Sequence, residues 1–273
     1  MKKNLLGMLL LLIVASVACC TGEKVNSGKQ TKQTATTNID NIKIYDINIV
    51  KVTDHDPEAF TQGFFWNDGY FYESTGLNNH STLRKVNPAD GRIIKQFTLP
   101  REFFAEGITM LKGKVYQLTW TEGYCFVYDT AKFETLNSFR YQGEGWGLCD
   151  NGEELIMSSG TEYISFRNPE DFSEIRRIRV TERGNSVRLI NELEYINGEI
   201  WANVWTRNLI LRIDPETGKI KSKIDLTPLQ NYLQTGERTE VLNGIAYDPV
   251  SKKIFLTGKL WPYVFEVELV ERK

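Results

Sequence analysis

Histidine is nearly absent from this 273-residue chain, which has only His55 and His80. That leaves little room for a histidine-rich metal site, or for a Ser-His-Asp machine unless one of the two serves. Neither sign of charge dominates. With 33 Lys and Arg against 35 Asp and Glu, the formal charge is -2, and no nucleic-acid footprint is present. A hydrophobic fraction of 41% with 25% charged residues excludes disorder and fibrous repeats. Helical periodicity is also missing: no apolar stripe at helical spacing persists for three turns, and only 228–239 could hold a short helix. The chain therefore reads as nearly all β.

The longest apolar run, Leu5 to Ala18, is broken only by Gly7 and Ser16 and follows Met1-Lys2-Lys3. It is too short for a transmembrane helix, which needs about 20 apolar residues, and has the form of a secretory signal. It stops at Ala18-Cys19-Cys20, which resembles a bacterial lipoprotein cleavage site. The expected organisation is a signal over 1–18, a lipid anchor on Cys19, a polar flexible tether over 19–41, and a folded domain over 42–273. The expected location is outside the cytoplasm, on the periplasmic or cell-surface side, with the membrane as one partner. Ordinary signal cleavage, or cleavage before Cys20, is the alternative. Beyond the signal only Cys125 and Cys149 remain. The compartment permits a disulfide between them, but spacing does not supply its geometry.

From Ile42 onward, short alternating segments rich in β-branched and aromatic residues read as strands, such as Lys114 to Trp120 and Glu199 to Trp205. They recur. The lead residues Gln62, Glu106, Trp146, Asn191 and Asn243 are separated by 44, 40, 45 and 52 positions. In four of the five units a glycine follows the lead by 6 or 7 residues, where a hairpin turn belongs. A second turn signature closes the later half of the units, as in Asn87-Pro88-Ala89-Asp90-Gly91 and Asp214-Pro215-Glu216-Thr217-Gly218. Four strands per unit at this period predict a five-bladed β-propeller. The strand from Ile42 to Val52 is expected to pair with Val264 to Val270 and close the ring. A two-sheet sandwich is the rival.

In a propeller the first strand of each blade lines the axis, so the lead residues form a ring. A second ring follows 14 residues later at Gly76, Trp120, Gly160 and Trp205, with Lys259 after a longer hairpin in the last blade. Both rings are expected at one mouth. One carboxylate among amides, indoles, glycines and an ammonium has the makeup of a small-molecule pocket. Taken singly, each Trp would read as a wedge between blades; matched repeat positions favour the pocket.

Six longer stretches carry a resemblance. Phe60-Thr61-Gln62-Gly63, Tyr72 to Gly76, Gly143-Glu144-Gly145-Trp146-Gly147-Leu148, Asn191 to Tyr195, Trp201 to Trp205 and Thr257 to Pro262 resemble the plant-type (papaya-latex type) glutaminyl-peptide cyclotransferases and their bacterial relatives. The likeness covers nearly all of 45–270, in order. It implies a five-bladed propeller that converts N-terminal glutamine to pyroglutamate with loss of ammonia, with no cofactor and no catalytic metal. Carried over by residue, it implies Glu106 as acid/base, Phe60, Trp120, Trp146 and Trp205 as pocket aromatics, and Gln62, Asn191 and Lys259 as polar contacts. The implied partners are peptides or proteins that begin with glutamine. A single carboxyl between two nitrogens can take one proton and return it. Lys259, Asn191 or Gln62 could hold the carbonyl oxygen. A non-catalytic surface propeller that binds peptides or glycans is the alternative. The physiological substrates, a structural ion in the channel and the membrane leaflet stay open at this stage. A monomer is expected, since a closed ring leaves no free strand edge.

Overall fold

Hairpin chemistry organises the chain locally. At Asp68-Gly69, Lys112-Gly113 and Asn197-Gly198 both central residues have positive φ (48° and 82°, 51° and 75°, 51° and 80°), the two-residue turn whose twist matches its flanking strands. At the later turns, Asn87, Asp129, Asn168 and Asp214 accept backbone N–H groups two or three residues on, which bends the chain between third and fourth strands.

The computed structural model describes residues 42–233 and 238–273. The signal, Cys19 and the tether lie outside them. Blade 1 comprises Thr61–Asn67, Tyr70–Thr75, Thr82–Val86 and Ile93–Thr98. Blade 2 comprises Ala105–Leu111, Lys114–Thr119, Tyr124–Asp129 and Thr135–Arg140. Blade 3 comprises Leu148–Asp150, Leu155–Ser158, Tyr163–Arg167 and Glu174–Arg179. Blade 4 comprises Ile190–Ile196, Glu199–Val204, Leu209–Ile213 and Ile220–Asp225. Blade 5 has Leu242–Asp248, Lys253–Gly258 and Tyr263–Glu271, and Lys43–Asp54 supplies its fourth strand. Within each blade the neighbours are antiparallel. A small hairpin (Thr181–Glu182 with Asn185–Ser186) and a 3-10 turn (Thr227–Tyr232) complete the described elements.

The closing strand pairs as expected, with Asp46 opposite Val270 and Thr53 opposite Val264. It does more than the sequence suggests. Its first residues, Lys43 to Tyr45, also run parallel to Ser222 to Ile224 of blade 4, so blades 4 and 5 form one eight-stranded sheet.

Burial shows the ring to be closed. Five apolar clusters sit one between each pair of adjacent blades. Phe65 and Tyr72 meet Ile108 and Val115; Leu118 and Val127 meet Leu148 and Met157; Ile156 and Phe166 meet Leu193 and Leu211; Trp201 and Ile210 meet Leu256 and Phe265; Phe64 and Phe71 meet Ala246 and Phe255. Inner strands are therefore buried on both faces, whereas an outer strand such as Thr135–Arg140 is mostly exposed. The glycine after a lead residue lets the inner strands converge. A Cβ on Gly63 would come within 2.6 Å of the Ile108 backbone nitrogen.

Cys125 and Cys149 are both free thiols, buried in different inter-blade clusters. Burial pushes both thiols well above their ordinary range, so they are packing groups, not nucleophiles.

Candidate active site

One repeated backbone bond puts the two rings at the same mouth. The N–H of the second-ring residue donates to the carbonyl two residues before the lead in four blades: Gly76 to Phe60 (2.8 Å), Trp120 to Phe104 (2.9 Å), Trp205 to Leu189 (2.8 Å) and Lys259 to Val241 (2.9 Å). In blade 3 the short first strand breaks the pattern, and Gly160 bonds Leu189 and Ile190 of the next blade. The two second-ring glycines make room. A Cβ on Gly76 would fall 2.5 Å from the Phe104 ring, and one on Gly160 2.6 Å from the Trp146 indole.

The result is a pocket of about 280 Å³ that gathers all eight expected residues: Phe60, Gln62, Glu106, Trp120, Trp146, Asn191, Trp205 and Lys259. Two further residues line it, Phe104 and Glu240. Phe104 stands two positions before Glu106 as Phe60 stands before Gln62, so the repeat carried a signal for it. Glu240 precedes the last lead residue with no counterpart in the other blades. Asn243 is not part of the lining. It is fully buried, where its Oδ1 accepts from Asn191 (2.8 Å) and its Nδ2 donates to the Thr61 carbonyl (2.9 Å).

The aromatic walls are built edge to face. Phe60 meets Phe104 at 6.2 Å, Phe104 meets Trp120 at 5.7 Å, and Trp146 meets Trp205 at 5.7 Å with an interplanar angle of 86°. Trp120 and Trp205 are 40% and 41% exposed, which places them at the rim and not as wedges between blades. Sequence reasoning missed the group that fixes Trp120 and Trp146. Glu144 Oε2 accepts the indole N–H of both Trp120 and Trp146, each at 2.8 Å, and so ties blade 2 to blade 3 across the mouth. Glu144→Ala should free both rings. The expected outcome is a fall in kcat/KM of about tenfold, the scale of one or two such bonds. Glu144→Gln, whose amide oxygen can still accept both bonds, should retain most of the activity. Steady-state kinetics with indole fluorescence checks this; equal activity and an unchanged spectrum in Glu144→Ala would remove the positioning role.

Glu106 is 5% exposed and accepts a bond from Gln62 Nε2 at 3.0 Å. Burial holds its carboxyl well above the usual carboxylate range. The Lys259 ammonium works against that, and the Glu122 and Glu144 charges add to it. Lys259 is buried with its Nζ 4.8 Å from the Phe60 ring centroid. Burial lowers its pKa, while the nearby Glu106 and Glu240 charges oppose the drop. Among the described residues Lys259 forms no ion pair, although Glu106 is close enough for each to bias the other. Gln62 Oε1 is buried and has no partner. The pocket thus holds a buried carboxyl with a raised pKa, a lysine outside any ion pair and an uncommitted acceptor inside an aromatic cup.

His55, the other titratable group singled out by its rarity, lies elsewhere. Its Nε2 is 3.0 Å from Glu73 Oε1 and its Nδ1 2.7 Å from the Trp261 carbonyl, with both side chains fully buried. His80 is exposed.

Comparison with known proteins agrees with this geometry. The chain is 38% identical over 232 residues to the glutaminyl-peptide cyclotransferase of Arabidopsis thaliana, covering 83% of this chain and 72% of that protein. The crystal structure of Myxococcus xanthus glutaminyl cyclase superposes with a TM-score of 0.81 at 38% identity, covering 85% of this chain and all of that one. The family model described as glutamine cyclotransferase matches residues 16–269. With the propeller, the pocket and these matches in place, the chain belongs to the glutamine cyclotransferase family.

Proposed function

We propose that this chain cyclises N-terminal glutamine of peptides and proteins to pyroglutamate with release of ammonia, using Glu106 as the proton carrier. Family membership supports the activity over that of a non-catalytic surface propeller. The observation that carries the mechanism is a buried carboxyl with a raised pKa inside an aromatic cup sized for one residue. The neutral α-amine attacks the side-chain amide carbon. As the N–C bond forms, the carbonyl electrons move onto oxygen and the amine proton passes to Glu106. Glu106 returns that proton to the amide nitrogen, the old C–N bond breaks, ammonia leaves and the carbonyl re-forms. A carboxyl lifted toward neutrality serves both transfers better than an ordinary one. The indoles hold the substrate folded, so that nitrogen and carbon meet.

Of the three candidates for the carbonyl oxygen, Lys259 suits best. The Asn191 amide already donates to Asn243 and the Gln62 amide to Glu106, whereas the Lys259 charge is unpaired. Gln62 Oε1 is the natural acceptor for a substrate N–H. Mass spectrometry of a Gln-initiated peptide after incubation should show the loss of one ammonia per chain; an unchanged mass would refute the assignment.

We further propose that the enzyme is a monomer held outside the cytoplasm by a lipid on Cys19. The support for the anchor is the basic start, the apolar run and Ala18-Cys19, and for the monomer the closure of the ring by Lys43–Asp54. Cys19→Ser together with Cys20→Ser should move the protein from the membrane to the soluble fraction; retention in the membrane would count against the anchor.

A further inference from the structure

The glutamine pocket is not the only depression at this mouth. A groove of about 560 Å³ runs over blade 3 and shares Trp146 and Trp205 with the pocket, and Glu144, which holds the Trp146 indole, lines the groove. A peptide whose first residue fills the 280 Å³ cup must lead its remaining chain out over the rim, and this groove begins at that rim. Its walls present exposed apolar surface, Tyr163 at 40% and Leu189 at 36%.

The groove is electrically uneven. Arg188 is taken up by Glu162 (2.7 Å), and Arg177 by both oxygens of Glu174 (2.6 and 2.9 Å). Arg167 differs. Its Nε and Nη1 donate to two neutral acceptors, Ser165 Oγ and the Phe172 carbonyl, each at 3.1 Å, and its plane lies 4.9 Å from the Phe172 centroid. Among the described residues it forms no ion pair. The guanidinium is therefore fixed, part-buried and outside any ion pair; the Glu174 charge acts on it from a distance, but both Glu174 oxygens are bound to Arg177. At the pocket end of the same groove stands the Glu144 carboxylate. Negative at the mouth and positive further out, the groove matches a chain whose amino end enters the cup and which carries an acid a few residues later.

We infer that the blade 3 groove is the subsite for the residues that follow the N-terminal glutamine, and that Arg167 selects an acidic side chain there. The inference rests on the cyclase reading for the direction of the chain. An extended peptide advances about 3.3–3.6 Å per residue, which makes the first few positions after the glutamine the ones to test. A charge-assisted bond to a pre-positioned guanidinium is among the stronger polar contacts.

The test compares kcat/KM for Gln-Ala-Ala-Ala-Ala with its analogues carrying Glu at position 2, 3 or 4. One analogue should be favoured about tenfold. Arg167→Met should remove that preference while leaving the all-alanine peptide within about twofold, and Arg167→Lys should keep part of it. Equal rates for all four peptides, or a preference that survives Arg167→Met, would overturn the inference. Binding of the corresponding pyroglutamyl peptides, followed by indole fluorescence, gives a second readout that needs no turnover. If no peptide releases ammonia, the cyclase reading fails, and the same acidic preference in binding, present or absent, still decides the subsite.

Discussion

Glu106→Gln is expected to fold normally and to lose ammonia release by at least about 100-fold, the lower end for general acid/base catalysis. That is about 2.7 kcal/mol of transition-state stabilisation. The amide matches the carboxyl in shape, and its oxygen can still accept the 3.0 Å bond from Gln62. It cannot carry the proton. The pH profile gives a second check. Glu106 must be ionised to take the amine proton, and its pKa is raised, chiefly by burial. The acid limb of kcat/KM should therefore lie above 4.5, the ordinary value for a glutamate. Removing the Glu144 charge in Glu144→Gln should move that limb to lower pH. Lys259→Met should lower kcat by about 100-fold if the ammonium holds the oxyanion. Retention of more than about a tenth of the wild-type rate in Glu106→Gln would end the acid/base role.

Glu73→Gln is expected to destabilise the fold by about 3–5 kcal/mol, since it leaves a buried charge without its partner. Glu73 Oε1 receives His55 Nε2 at 3.0 Å and Thr61 Oγ1 at 2.7 Å, and Arg84, 3.8 Å from Oε2, also binds Asp56 at 2.8 Å. Both His55 nitrogens face oxygen acceptors, which suits the protonated ring. Burial alone would lower the His55 pKa, but the Glu73 charge and bond outweigh it and the pKa is raised. Burial alone would raise the Glu73 pKa, and His55, with Arg84 and Thr61, brings it below its ordinary value. The signs then define a window. The His55 contribution is complete below its ordinary value of 6.5 and fades as pH climbs through the raised folded value. The Glu73 contribution is complete above 4.5 and fades as pH drops through the lowered folded value. Denaturant unfolding should show the largest gap between wild type and variant between about pH 4.5 and 6.5, narrowing at alkaline pH. A gap under about 1 kcal/mol, or one independent of pH, would show that the pair fastens nothing.

The location of this pair explains the size of the effect. His55 directly follows the closing strand and donates its backbone N–H to the Pro262 carbonyl (2.9 Å), while Glu73 lies in blade 1. The cluster joins the closing strand, the first blade and the last where the ring is sealed. Nothing in the repeat pointed to it, because His55 and Glu73 recur in no other blade.

Residues that obey the repeat were legible, and those that reach across blades were not. The lead positions and their second-ring partners were read from spacing because hairpin length sets register, and the backbone bonds from Gly76, Trp120, Trp205 and Lys259 bear that register out. Phe104 obeys the same repeat, two residues before Glu106 as Phe60 is before Gln62. Glu144 was quoted within a motif, but its bonds to Trp120 and Trp146 depend on how two blades splay at the rim. The parallel join between Lys43–Tyr45 and blade 4 depends likewise on where a closing strand overruns its own blade.

Local chemistry along the chain thus determined the strands, their turns, the period and the ring positions, since alternation and turn residues act over a few bonds. Tertiary structure alone decided which carboxylate is dry, which cation is left unpaired and which acid holds two indoles, because burial and charge pairing depend on neighbours that sequence distance does not order.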